Sequence, residues 1–139
     1  MMLSKGMGVL VGCLAMTSLC ASTVSVFVSF SMPEMLLEET LKESSLLHIP
    51  VYLNGLYQDS MPETALKIMA LSARVPNLTL QIDPTLFEQF GIQQVPALVV
   101  ANGEAFDVIY GNLPLKEGLA RMAGRGDSGF SVTEARGVF

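Results

Sequence analysis

The sequence predicts an α/β domain: a mixed sheet between helices, three layers deep, ending in a β-hairpin and a final helix. Three observations carry this. Short β-rich runs alternate with helical runs as far as Ile82, the pattern of strands joined by crossover helices. Val95-Pro96 leads into the apolar run Ala97 to Ala101. Asn102-Gly103 then turns that run back onto Ala105 to Tyr110, a strong two-residue hairpin signal.

The elements follow in order. Val24 to Ser31 alternates, with Val24, Val26, Val28 and Phe30 on one side and Ser25, Phe27, Ser29 and Ser31 on the other. That is a first strand, and Phe27 implies cover on both faces. Pro33 opens a helix, where its missing N–H costs nothing. Ser31 is expected to cap that helix, with Glu34 as its reciprocal partner. Leu37, Leu41 and Ser44 share one face, and Glu38 can pair with Lys42 one turn on. The helix must end before Pro50. His48, near its end, is expected to compensate the helix dipole from the surface.

Val51 to Leu53 is a short second strand, stopped by Asn54-Gly55. Ser60-Met61-Pro62-Glu63 fits a capping box and starts a helix to about Arg74. Its wide apolar face (Ala65, Leu66, Ile68, Met69, Ser72, Ala73) is expected to pack on the sheet. Leu78 to Ile82 is a third strand. Asp83 caps a helical turn from Pro84 to Phe90, which Gly91 closes. After the hairpin, Pro114 begins a last helix to about Ala123. Gly124 to Phe139 holds four glycines and little periodicity, and is expected to be loose.

The N-terminus bounds the rest. Lys5 supplies a positive start, Gly6 to Cys20 an uncharged apolar core, and Ala21 and Ser22 the small residues of an export signal. The core falls short of the roughly 20 residues that span a bilayer. The expected organisation is therefore a signal peptide over 1–21, one domain over 22–124 and a flexible tail over 125–139, in the bacterial periplasm. Leu10-Val11-Gly12-Cys13 also has the form of a lipoprotein box, and retention as an anchor stays open. Both cysteines, Cys13 and Cys20, lie in this stretch, so a chain cut after Ala21 has no thiol. Without Lys5 there remain seven basic and thirteen acidic side chains, a net charge of −6 with His48 neutral. A basic stripe for nucleic acid is missing, and so is a cationic cluster for anionic lipid. No membrane contact is expected beyond the export signal.

Two segments point to a fold family. Gly91 to Val100 resembles the thioredoxin-like segment in which a cis-proline after an aliphatic residue enters a buried strand. Phe27 to Glu34 resembles the strand-to-helix passage that carries two cysteines in redox members. Here the aligned four are Ser31-Met32-Pro33-Glu34: the proline is kept and both sulfurs are absent. Ser31 has no visible base, and a serine nucleophile needs one.

The stretch from Val26 to Gly126 also resembles the TrbC family of pilin assembly proteins from F-type conjugative (type IV secretion) systems. The carriers are Val28 to Pro33; Gly55-Leu56 followed by Ser60; Gln81 to Phe87; Phe90-Gly91-Ile92 with Val95-Pro96-Ala97; and Phe106-Asp107-Val108 with Tyr110-Gly111-Asn112. Asn54 stands where the family leads one to expect arginine. The resemblance implies a periplasmic factor of conjugative pilus assembly whose partners are other envelope components of the apparatus, with pilin a candidate. The reading is of a non-catalytic protein that binds through a thiol-free groove formed by Ser31, Met32, Pro33, Asn54, Val95 and Pro96. An extended peptide would pair there with backbone beside the proline. No cofactor is expected, and no residue set has metal-ligand spacing. A general peptide-binding chaperone, or a thiol-disulfide oxidoreductase using Cys13 or Cys20, are the alternatives.

Overall fold

The computed structural model describes residues 22–138. The expected signal segment 1–21, with both cysteines, therefore lies outside the described residues. Element order is β1 (Thr23–Val28), α1 (Glu34–Leu46), β2 (Val51–Leu53), a 3-10 turn (Tyr57–Asp59), α2 (Met61–Arg74), β3 (Leu80–Ile82), α3 (Pro84–Gln89), β4 (Ala97–Asn102), β5 (Ala105–Tyr110), α4 (Leu115–Met122) and α5 (Val132–Val138). The five strands form one mixed sheet in the order β3-β2-β1-β4-β5. β1, β2 and β3 run parallel; β4 runs antiparallel to both β1 and β5. The expected α/β architecture is thus the observed one.

Alternation along the strands builds two apolar layers. Val26, Val28, Leu98 and Val100 face the larger one, with Leu37 and Leu41 of α1, Leu71 of α2 and Leu115 and Leu119 of α4. Phe27, Ala97, Val99 and Ala101 face the other, under Phe87 of α3. Phe27 is wholly buried, its ring edge-on to Phe87 at 4.9 Å between centroids. Gly118 lets α4 lie close on β4, because a Cβ there would come within 2.7 Å of Leu98 Cδ2.

Helix ends follow from local chemistry. Ser60 Oγ accepts the Glu63 N–H at 3.2 Å, and Asp83 Oδ1 that of Leu86 at 3.3 Å. The reciprocal half of the first box is replaced, since the Ser60 N–H bonds Tyr57 C=O. α1 and α3 both close in Schellman motifs. In α3, Gly91 at φ +60° donates to Glu88 C=O and Ile92 to Phe87 C=O. In α1 that left-handed position is held by His48 at φ +57°, which donates to Ser45 C=O, while Ile49 donates to Ser44 C=O. His48 is therefore a backbone cap as well as an exposed side chain.

Four expectations are corrected. β1 stops at Val28, because Met32 N–H bonds Ser29 C=O and turns the chain. Pro33, and not Ser31, occupies the N-cap of α1, with no side-chain bond; Ser31 Oγ instead meets Ser29 Oγ at 2.8 Å. The hairpin loop is Gly103-Glu104, because Asn102 pairs with Ala105 inside the ladder and Gly103 takes φ +64°. Most of the apolar face of α2 is not covered by the sheet. Thr64 and Leu71 are buried, whereas Leu66 is 60% and Met69 66% exposed.

The segment 125–139, expected to be a flexible tail, is packed as far as it is described. Phe130 is 2% and Ala135 3% exposed, both within the larger apolar layer. Asp107 of β5 explains the docking. Its carboxylate accepts the N–H groups of Asp127 at 2.8 Å and Ser128 at 3.0 Å, and the Ser128 hydroxyl. Gly126 permits the approach, since a Cβ there would lie 2.0 Å from Asp107 Oδ2. Partial burial pushes the Asp107 carboxyl up, but the bonds from Ser128 and Asp127 outweigh it and hold it below the ordinary range.

Candidate functional site

The six expected residues all sit at one end of the sheet. Val28 pairs with Leu53, and Phe27 with Ala97, so the chain leaving β1, the chain leaving β2 and the chain entering β4 meet there. Ser31, Met32 and Pro33 follow β1, Asn54 follows β2, and Val95-Pro96 precedes β4. The Val95–Pro96 bond is cis.

The structure does not merge them into one groove. Ser31 and Asn54 line a cleft of about 380 Å³ with Phe30, Leu56, Tyr57 and Gln58. Met32 is 8% exposed and belongs to the core; its sulfur accepts the Ser29 N–H at 3.5 Å. It floors a second cleft of about 300 Å³ between α1 and α2, beside Leu37, Leu66 and Lys67. Pro96 is buried and lines a third, of about 120 Å³, with Leu36, Thr40 and residues of α4. Pro33 is exposed and Val95 half-buried, packing against both apolar layers.

Three residues outside the expected six shape the first two clefts or hold the loop beside them. Phe30 is the wall between them, its ring edge-on to Tyr57 at 5.8 Å. Lys67 Nζ lies 4.4 Å from the Tyr57 ring centroid and 5.9 Å from that of Phe30. This sets a cation against two ring faces. Thr64, 1% exposed, holds the loop: its Oγ1 accepts the Tyr57 N–H at 2.7 Å and donates to Ser60 C=O at 2.6 Å. The same loop places Gln58 and Asp59 at φ +52° and +53°, the left-handed region. Only Thr64 had a sequence signal: a hydroxyl in the first turn of a capped helix can bond back to the preceding loop.

The Ser31 hydroxyl bonds that of Ser29, and among the described residues no imidazole or carboxylate bonds it. His48 stands beyond the opposite end of α1, in its Schellman turn. Among the described residues, no group of three or more His, Cys, Asp or Glu side chains could hold a metal. No described helix is long and apolar enough to cross a membrane. At the mouth of the second cleft Arg74 meets Glu34 at 3.3 Å and Glu38 at 3.4 Å, an exposed network that ties α2 to α1. The Lys42 hydrogen bond, aided by the Lys42 and Arg74 charges, holds Glu38 below the ordinary carboxylate range.

Comparison with known proteins fits this geometry. Over 70% of its length the chain superposes on 79% of StoA from Bacillus subtilis, with a TM-score of 0.50 and 11% identity. That likeness concerns the fold alone, which is thioredoxin-like. Over 101 residues the chain is 42% identical to the periplasmic protein TrbC of Escherichia coli K12. The match takes in 73% of this chain and 48% of that protein, so the chain spans about half the length of this curated relative. The model of the family described as type-F conjugative transfer system pilin assembly protein matches residues 26–124, from within β1 to two residues past α4. The chain belongs to that TrbC family.

Proposed function

We propose that this protein serves pilus assembly in a type-F conjugative transfer system, in the periplasm, as a binding protein without chemistry of its own. The observation that carries the reading is the family match across residues 26–124. The relative's name adds the compartment. The absence of any cysteine after Cys20 fits a scaffold that holds and does not exchange disulfides. Its partners are other envelope components of the apparatus, pilin among the candidates.

The proposed contact surface is the sheet end around Ser31, Asn54 and Val95. The Val95 N–H and C=O form no hydrogen bond among the described residues, so they can receive an extended partner segment by strand addition. The exposed Ser31, Pro33 and Asn54 flank that path. The cleft variants Ser31→Arg and Asn54→Trp test this, because both positions are exposed and line the cleft. Expressed in a deletion strain at wild-type protein level, they should lower pilus number and mating frequency. Normal pili from both would remove the cleft from the mechanism. Loss of pili in the deletion strain itself tests the assembly role separately.

A further inference from the structure

The two ends of the described chain meet at one carboxylate. Glu134 Oε2 accepts the Ser22 N–H at 3.3 Å, across nearly the whole length of the chain. Its Oε1 stands 3.4 Å from the Ser131 hydroxyl, and its own N–H donates to Ser131 Oγ at 3.0 Å. Ser131 thus caps α5, while Glu134 reaches both its cap and the start of β1. At the same place the Ser22 hydroxyl is buried with no hydrogen-bond partner among the described residues. The sequence reading puts export cleavage after Ala21 or close by.

We propose that Glu134 is the receptor for a new N-terminus. Hydrolysis of the Ala21–Ser22 peptide bond by an export peptidase adds one water, leaving a carboxylate on Ala21 and an α-ammonium on Ser22. One amide donor then becomes three charged ones, held against a carboxylate already in place. The pair fastens α5 onto β1, and with it the segment that seats Phe130 in the core. Processing thereby strengthens the hold on the already packed C-terminal segment, which lies beyond the family match at residue 124. The inference needs export cleavage but not the pilus role.

The test starts from the full chain, exported and purified. Mass spectrometry should give a mature start at Ser22. Hydrogen exchange then compares α5 amides in three samples: the mature protein, Glu134→Gln, and the mature protein acetylated selectively at its α-amine. Glu134→Gln keeps an acceptor near Ser131, so α5 can still form. Exchange in α5 should be about two- to fivefold faster in each altered sample, as expected of a partly exposed ion pair. A different mature start, or unchanged exchange after either alteration, would overturn the proposal.

Discussion

Helix α2 and the C-terminal segment use their apolar residues in opposite ways. α2 has fourteen residues and buries two, Thr64 and Leu71, while Leu66 and Met69 stand more than half exposed. The segment after α4 has few large apolar side chains, yet Phe130 and Ala135 are buried with the core. The difference lies in what each finds nearby. α1 already covers the sheet beside α2, so α2 can lay only one edge down, and Arg74 holds that edge through Glu34 and Glu38. The C-terminal segment meets space beside α4 and a polar anchor, Asp107, that fixes its path. Hydrophobic content sets how much burial a segment could gain; the free area of its neighbours sets how much it gets.

The largest expected effect tests that contrast directly. Phe130→Ala should cost about 3 kcal/mol in urea denaturation, from lost transfer energy and the cavity left behind. Leu66→Ala and Met69→Ala should stay within about 0.5 kcal/mol, as exposed positions do. Equal costs for Phe130 and Leu66 would erase the distinction between the two regions. Next in size is Thr64→Val, at about 1–2 kcal/mol. It keeps the shape but strands the Tyr57 N–H, while the Ser60 C=O keeps its bond from the Thr64 N–H. If it proved neutral, the loop would owe nothing to α2.

The smallest effect is on the pH dependence. The folded-state value of Asp107 lies below its unfolded one, near 3.9. Its contribution is therefore fully present above about pH 4 and is lost as pH falls through the lower folded value. Hydrogen exchange in α5 should accelerate over that acid range in the wild type. The Asp107→Asn variant should lack that acid step. An identical acid limb in both would show that the segment docks without help from the Asp107 carboxylate.

Much of this was legible in the sequence. The strands β2 and β5, the bounds of α2, the Asp83 and Gly91 ends of α3 and the Glu38–Lys42 pair follow from patterns within a few residues. Such patterns report local free energies, which the chain carries wherever it folds. Other features depended on partners far along the chain. Ser31 looked like a cap, but the turn at Ser29 captured its hydroxyl first. Phe30, Tyr57 and Lys67 carried no shared spacing, and only the approach of the β1 and β2 ends brings them together.

By itself, then, the sequence determined an α/β sheet with a proline-led fourth strand, its capped helices, its family and the confinement of thiols to the first twenty residues. Periodicity, capping and composition are properties of neighbours in the chain, so they survive in one dimension. The tertiary structure alone decided that α2 lies at the periphery, that residues after Gly124 are packed, and that Ser31, Met32 and Pro96 face three separate clefts. Those outcomes are competitions for one limited apolar surface, and the winner depends on every other element that reaches it.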